Sequence, residues 1–272
     1  MKKNLQPLRK VIVAYSGGVD STFLLRAAVE VLGADNVLAC IGISPSLGEN
    51  QYRQAIILAQ TIGASLREIK VDELDDPRYA QNKADRCFHC KTHLYKLLTE
   101  IAKENGFENI ICGSNLDDMD DFRPGSRAAK AFGIKTPLAE ARLTKKDIRT
   151  LSRNFNLPTA QIPASPCLAS RIAYGLEINA GRLKQIEKAE DFLRQLGFVE
   201  FRVRHHDTIA RIEVPQDEIQ KITAEPLRSR IEAELKKLGF KYVTVDLTGF
   251  RSGSLNESLT DTEKQKASRS CS

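Results

Sequence analysis

Short apolar runs alternate with amphipathic stretches through the first half of the chain. Runs such as Val11-Ile12-Val13 are apolar throughout, whereas the stretches between them repeat apolar residues every three or four positions. This alternation predicts strands at 10–15, 36–43, 66–71 and 108–113, and helices at 21–32, 49–62, 91–105 and 144–155. Because strands buried on both faces read as continuous apolar runs, we expect an α/β fold with a parallel sheet covered by helices on both faces.

The pattern changes after Pro163-Ala-Ser-Pro166. The remaining chain predicts a helix at 179–196, a hairpin of 198–206 and 209–214, a helix at 216–238 and a strand at 241–248. We therefore expect a large domain over 1–168, a smaller α+β domain over 169–250, and a flexible tail rich in Ser, Thr, Lys and Glu over 251–272.

Composition narrows the class of protein. The chain has 272 residues, 42% of them hydrophobic, and a net charge of +6, which suits anionic ligands but is too mild to indicate nucleic-acid binding. No apolar run approaches the roughly 20 residues that span a bilayer, and the start Met-Lys-Lys-Asn has no apolar signal-peptide core. The expectation is a cytoplasmic protein with no membrane and no nucleic-acid partner.

The most informative segment is the glycine loop, residues 16–21, which follows the first strand and opens the first long helix. Gly17 and Gly18 have no Cβ to keep a phosphate from the backbone, and Ser16 and Ser21 add small hydroxyl donors. N–H groups at a helix N-terminus attract anions, and Asp20 suits Mg²⁺ that accompanies phosphates. The loop predicts an ATP site, with a strand followed by an ordinary capped helix as the alternative.

A second polar segment, residues 113–125, also follows a predicted strand. Carboxyl ends of parallel strands share one edge of the sheet, so this segment is expected to reach the same crevice as the glycine loop. Asn115 and Asp118 are candidates to bind the base or ribose of ATP, and Arg123 is placed to face phosphate. The alternative is a polar surface loop.

Three cysteines stand apart from the others. Cys87 and Cys90 come just before a predicted helix that starts at Lys91, and Cys167 lies at the domain junction, whereas Cys40 and Cys112 lie in apolar strands. Three thiolates without a fourth favour an iron-sulfur cluster with one open iron over structural zinc, which takes four ligands. Zinc stays open as an alternative, because either His89 or His93 supplies a possible fourth ligand.

Arg202 and Arg204 alternate with apolar neighbours on a predicted strand, so both guanidinium groups share one face about 6.5 to 7 Å apart. Arginine forks suit a phosphate group, which makes the pair a candidate site for a substrate phosphate. The alternative is a solvated strand face.

Several motifs together resemble the LarE family of sulfur transferases within the PP-loop ATP pyrophosphatases. The motifs are Ser-Gly-Gly-Val-Asp-Ser at 16–21, Asp-Asp-Phe-Arg-Pro-Gly at 120–125, Cys-Leu-Ala-Ser-Arg at 167–171 with Tyr174-Gly175, Arg-Val-Arg at 202–204, Ile-Ala-Arg-Ile-Glu at 209–213 and Gly-Phe-Arg-Ser-Gly at 249–253. The resemblance spans residues 8–260 and implies that ATP adenylates the carboxylates of pyridinium-3,5-biscarboxylic acid mononucleotide, after which sulfur displaces AMP. The product belongs to the synthesis of a nickel-pincer nucleotide cofactor.

The resemblance also implies roles for particular residues. Asp20 and Cys167 become catalytic, and Ser170 and Arg171 join the substrate-phosphate pocket. Cys87 and Cys90 depart from the branch that spends a single cysteine, so the chain resembles the branch in which three cysteines hold a 4Fe-4S cluster. Glu190 and Glu213 match residues that bind a divalent ion, although the third acid is missing: Lys221 stands there, with Asp217 as a possible substitute.

The implied cofactors are ATP, Mg²⁺ and the 4Fe-4S cluster, with sulfide or another sulfur donor and a homo-oligomer, typically a hexamer. A tRNA thiolation enzyme shares the loop and the cysteine trio, but this chain has no Cys-x-x-Cys knuckles flanking the core and no dense basic patch. NAD and GMP synthetases share the loop without needing the cysteines. A non-catalytic nucleotide- or metal-binding protein is the remaining alternative.

Overall fold

The computed structural model describes residues 1–119, 122–163, 166–251 and 253–269, apart from the side chain of Arg269. The α-helices are α1 (Lys2–Leu5), α2 (Val19–Leu32), α3 (Glu49–Ile62), α4 (Pro77–Ala80), α5 (Arg86–Glu104), α6 (Gly125–Ala131), α7 (Pro137–Glu140), α8 (Lys145–Asn154), α9 (Ala180–Gln195), α10 (Ile219–Thr223), α11 (Leu227–Lys237) and α12 (Asp261–Arg269). The strands are β1 (Val11–Tyr15), β2 (Val37–Ile43), β3 (Ser65–Lys70), β4 (Asn109–Cys112), β5 (Arg202–His206), β6 (Ile209–Glu213) and β7 (Tyr242–Val245).

The chain divides into two compact units. The larger unit contains Met1–Glu73 and the described part of Cys87–Ser165, and the smaller unit contains Leu74–Arg86 and Pro166–Arg269. The sequence pattern placed all of the first 168 residues in one domain and did not separate out Leu74–Arg86. A short segment can belong to a unit that is remote in the sequence through a few hydrogen bonds, which the hydropathy pattern does not reveal.

The larger unit is built on a parallel sheet, as predicted. The strand order is β3-β2-β1-β4, with Val11 in register with Val37 on one side and Asn109 on the other. The chain leaves β1 towards β2 and β3, and later returns to the other side of β1 with β4. The carboxyl ends of β1 and β4 therefore flank the position where strand order reverses, which is where α/β sheets bind ligands.

Alternate residues of β1 pack against different helix layers. Val11, Val13 and Tyr15 share a core with α2 and α3, whereas Ile12 and Ala14 share a core with α5 and α6. This burial on both faces explains the continuous apolar runs of the sequence. Cys40 and Cys112 lie in the second of these cores, so their prediction as core residues is confirmed.

The smaller unit contains the mixed sheet β5-β6-β7, in which β6 pairs antiparallel with β5 and parallel with β7. Helices α9 and α11 supply the apolar residues that cover it, including Leu193 and Leu235. The predicted single helix at 216–238 was wrong, because the helix is interrupted between α10 and α11. Pro226 has no N–H to continue the ladder of a helix, which accounts for the interruption.

Two further elements differ from the sequence pattern. Helix α5 begins at Arg86 rather than Lys91, so Cys87 and Cys90 lie inside its first turns. In the segment predicted as a flexible tail, the described residues contain a 3₁₀ turn at Ser254–Ser258 and the helix α12. Over the described ranges, no helix combines the length and apolarity that a membrane span requires.

Candidate functional site

The glycine loop connects the carboxyl end of β1 to the first turn of α2. Ser21 Oγ donates to the Gly18 carbonyl oxygen at 3.1 Å and accepts the Ser16 N–H at 3.2 Å. These hydrogen bonds connect the two ends of the loop. Gly17 has a φ of +71°, which glycine adopts without strain. Gly18 is the N-cap residue of α2, and no side chain caps that helix. The N-terminal N–H groups of α2 therefore lack a side-chain cap, as an anion site requires.

Asp20 lies in the first turn of α2 and forms an ion pair with Lys145 from the first turn of α8. Its Oδ2 accepts the Lys145 ammonium, whereas its buried Oδ1 has no hydrogen-bond partner. A buried carboxylate oxygen without a donor fits a hard cation such as Mg²⁺, which prefers oxygen ligands. The sequence analysis missed Lys145, since the two residues are 125 positions apart.

The loop after β4 lies directly beside the glycine loop. A Cβ on Gly113 would fall 2.9 Å from the Ser21 nitrogen, so only glycine fits this approach. Two residues further on, Asn115 and Asp118 form a reciprocal pair in which each side chain accepts the other's N–H, at 3.1 and 3.2 Å. Asn115 is buried and Asp118 is partly buried, so the reciprocal hydrogen bonds fix both side chains beside the glycine loop.

The Asp118 carboxylate faces two opposing influences. Burial raises its pKa, Arg123 at 2.8 Å opposes that rise, and the Asp20 charge adds to it, with the pKa raised on balance. The influence of Asp20 places the two carboxylates in one electrostatic environment. The two carboxylates together attract a cation to this edge of the sheet. Of the 120–125 motif, Asp120 and Asp121 lie outside the described residues.

The smaller unit contains the second group of predicted site residues. Arg171 forms a forked ion pair with Glu190, at 2.9 Å from Nε to Oε1 and 3.1 Å from Nη2 to Oε2. Arg204 binds Glu213 in a similar way, with Nε and Nη2 at 3.0 and 2.8 Å from Oε2. All four residues are buried. The structure therefore brings the predicted phosphate-binding arginines and the predicted metal-binding glutamates together as ion pairs.

Arg202 has different surroundings from the other two arginines. Its Nη1 donates to the Phe201 carbonyl oxygen at 2.5 Å, and its guanidinium lies 5.0 Å from the centroid of the Phe250 ring. Burial, together with the positive charge of Arg171, lowers the pKa of Arg202 to about 10. An anionic group bound here would restore the stability of the charged guanidinium.

The predicted cluster cysteines occupy both units. Cys87 is exposed and Cys90 half-buried on α5, next to Lys91, whose pKa is raised chiefly by Tyr95 and also by the nearby thiols. Cys167 is exposed and precedes the 3₁₀ turn Leu168–Arg171. Within the described ranges, no three His, Cys, Asp or Glu side chains are grouped to hold a metal ion. Cys271 lies outside those ranges.

Comparison with known proteins places the chain among PP-loop enzymes. The NAD synthase family profile matches residues 2–110. The chain is 38% identical to the pyridinium-3,5-bisthiocarboxylic acid mononucleotide synthase of Lactiplantibacillus plantarum, over 94% of this chain and 92% of that protein. It is 40% identical to an uncharacterized protein of Synechocystis sp., over 93% and 94% of the two chains. An uncharacterized protein of Methanocaldococcus jannaschii is 34% identical, over 93% and 96%.

Proposed function

The chain belongs to the LarE family, and we propose from this premise that it uses ATP to convert carboxylates of pyridinium-3,5-biscarboxylic acid mononucleotide into thiocarboxylates. The observation that carries the proposal is the glycine loop, which combines an uncapped helix N-terminus with the Asp20–Lys145 pair. The loop has no Lys after its glycines, unlike the P-loop that transfers a γ-phosphate. Release of the whole pyrophosphate, with AMP retained, is the reaction that suits it.

The ATP half of the reaction depends on the larger unit. The N–H groups of α2 bind the β- and γ-phosphates, and Asp20 would hold Mg²⁺ through its buried Oδ1. Bound Mg²⁺ would supply charge stabilisation of the departing pyrophosphate. Lys145, already fixed by its ion pair with Asp20, adds a second positive charge at the same place. Asn115 and Asp118 orient the nucleoside, since their reciprocal hydrogen bonds fix both side chains.

Adenylation makes a poor electrophile reactive. A substrate carboxylate oxygen attacks the α-phosphorus of ATP, the bond to pyrophosphate breaks, and the product is an acyl-adenylate. Sulfur then adds to the carbonyl carbon, and AMP leaves with the electron pair of the C–O bond. One round forms one thiocarboxylate, and two rounds convert both carboxylates. Arg202 is the arginine that we assign to the phosphate of the mononucleotide, because burial and the positive charge of Arg171 disfavour its charged form, which a bound anion would stabilise.

Cys87, Cys90 and Cys167 are the proposed ligands of a 4Fe-4S cluster. The type and number of donors suit such a cluster, because thiolates ligate iron-sulfur clusters and three of them leave one of the four irons without a protein ligand. Cys87 and Cys90 both lie in the first turns of α5, next to Lys91. A bound cluster would supply a replaceable sulfide. The chain's own contribution is to hold Cys167 in a fixed, exposed position, as sulfur delivery requires.

The remaining features of the proposal concern the cell and the assembly. We propose that the enzyme is cytoplasmic and receives sulfur from sulfide or another small donor. We also propose that it forms a homo-oligomer, with the hexamer as the state that the resemblance to the family implies. A divalent ion at Glu190 and Glu213 also stays a proposal of the sequence. The pairing of both carboxylates with arginines counts against it.

The test follows phosphate products and sulfur together. Protein purified without oxygen is incubated with Mg-ATP, the mononucleotide and sulfide, and we expect AMP, pyrophosphate and a thiocarboxylate detected by mass spectrometry. Asp20→Ala should abolish all three, whereas Asp35→Asn, an exposed acid preceding β2, should retain them. ADP and phosphate as products would refute the proposal. Iron and acid-labile sulfide near four each per chain would support the cluster, and their absence after reconstitution would refute that part alone.

A further inference from the structure

One buried arginine, Arg171, holds residues 166–170, which contain Cys167 and are called here the Cys167 segment. Arg171 Nη1 donates to the Pro166 and Cys167 carbonyl oxygens, at 2.5 and 3.3 Å, and to Ser170 Oγ at 2.9 Å. These bonds turn the chain around the guanidinium, with Cys167 at the exposed side of the turn and Arg171 only 2% exposed. The position of the Cys167 backbone is therefore tied directly to the position of Arg171.

Glu190 fixes that guanidinium in turn. Its two oxygens accept the Arg171 fork, and Oε1 also accepts the Val203 N–H at 3.1 Å, which connects α9 to β5. Burial opposes ionisation of the Glu190 carboxyl, but the Arg171 charge holds its pKa below the usual range. The carboxylate is thus ionised and bound on both oxygens.

A second pair holds the same segment from its other end. Arg204 Nη1 donates to the Ser170 carbonyl oxygen at 2.9 Å, while Glu213 orients Arg204. Ser254 Oγ accepts from Arg204 Nη2 at 2.8 Å and donates to Glu213 Oε1 at 2.9 Å. Every one of these residues belongs to the smaller unit, so the frame is complete within it.

We propose that Arg171, oriented by Glu190, is the positioning residue for Cys167, and that Glu190 serves as an arginine anchor rather than a divalent-ion ligand. The inference rests on the proposed role of Cys167 in sulfur transfer. All three guanidinium nitrogens of Arg171 already donate to protein oxygens, so binding a substrate phosphate would require breaking the fork.

The experiment measures order at the Cys167 segment separately from stability. Glu190→Gln and Arg171→Lys are compared with wild type by hydrogen exchange of the backbone amides of Ser170 and Ile172, which donate to Cys167 and Ala169 carbonyls. We expect about tenfold faster exchange there, corresponding to about 1.4 kcal/mol. Asp207→Asn is the control, since Asp207 pairs with Arg182 of the same α9 without touching the Cys167 segment.

A double variant separates positioning from a merely structural role. The double variant Arg171→Met with Glu190→Leu replaces the buried ion pair by apolar side chains. Such a replacement is often neutral or stabilising for the fold. We expect a stable protein in which the segment still exchanges about tenfold faster and kcat for sulfur transfer falls while KM for ATP stays unchanged. Wild-type exchange and kcat in this variant would overturn the proposal.

Two outcomes distinguish this inference from the proposed function. If Cys167→Ala retains sulfur transfer, the role of Cys167 in the proposed function fails, although the exchange data still decide whether Arg171 holds the segment. If the wild-type chain binds Mn²⁺ and Glu190→Gln does not, while the exchange of Ser170 and Ile172 is the same in both, Glu190 is a metal ligand and the inference is overturned.

Discussion

Replacing Gly17 by alanine tests whether the shape of the glycine loop governs ATP use. Gly17 has a φ of +71°, and a Cβ built on it would lie 2.6 Å from Ala55 Cβ and 3.0 Å from Ala55 Cα. Ala55 is fully buried in α3, so it has no empty space to move into. The substitution must therefore displace either α3 or the loop itself.

The expected cost has two parts. A left-handed backbone at an alanine costs about 1 to 2 kcal/mol, and forcing a methyl group into a packed contact costs about 1 to 3 kcal/mol more. Gly63→Ala is a matched control, because Gly63 has a left-handed backbone with a φ of +76° and a ψ of +26°, and no atom lies within 4 Å of the new Cβ. It should lose only the first part. The difference between the two variants, about 1 to 3 kcal/mol, isolates the contact with Ala55.

The assay combines stability with product formation. A chain with two units need not unfold in one step, so hydrogen exchange of the β1 amides reports on the larger unit better than a global transition. A displacement of the loop by about 1 Å can cost about 100-fold in rate, so we expect a large loss of AMP formation in Gly17→Ala and little loss in Gly63→Ala. Equal exchange rates and equal activity in the two variants would refute the reasoning.

Three further predictions concern individual polar side chains. Asn82→Ala should destabilise the smaller unit by about 3 kcal/mol or more, because its buried amide donates to the carbonyl oxygens of Ile172, Ala173 and Leu176. Hydrogen exchange of the β5 and β6 amides checks this, and exchange as slow as in the wild type would contradict it. Burial lowers the pKa of His205 from 6.5 to about 4, so stability present above pH 6.5 should fall as the pH drops towards 4, and His205→Gln should flatten that decline in melting temperature. Lys145→Met should slow AMP formation at least tenfold, whereas the exposed Lys146→Met should not; equal rates would remove Lys145 from the site.

The sequence predicted those parts of the larger unit that depend on local pattern. The strands of the parallel sheet are buried on both faces, so their apolar runs could be recognised in the sequence. The glycine loop at the end of β1 was predicted from residue types alone. The start of α5 was placed five residues late, because the polar Arg86 and the Cys87–Cys90 segment lack the apolar spacing that marks a helix.

Contacts between distant residues could not be predicted in the same way. The pair of Asp20 with Lys145 depends on α8 approaching α2, and no spacing in the sequence encodes it. Alternation correctly put Arg202 and Arg204 on one strand, but it carried no information about partners, so the pairing of Arg204 with Glu213 was not foreseen. Periodicity identifies the face of a strand on which a side chain lies, whereas function depends on which distant residues contact that side chain.

The three buried arginines differ in how strongly their surroundings stabilise the charged guanidinium. Arg171 and Arg204 are each paired with a carboxylate of their own, and both also donate to backbone oxygens. An incoming phosphate would therefore have to replace hydrogen bonds that already exist. For Arg202, burial and the neighbouring positive charges outweigh the nearby carboxylates, as its lowered pKa of about 10 shows. A doubly charged phosphate would gain most beside the guanidinium whose charge is least stabilised. Under the proposed function, Arg171 and Arg204 therefore hold the chain in place, and Arg202 is the arginine whose charge a bound mononucleotide phosphate would stabilise most.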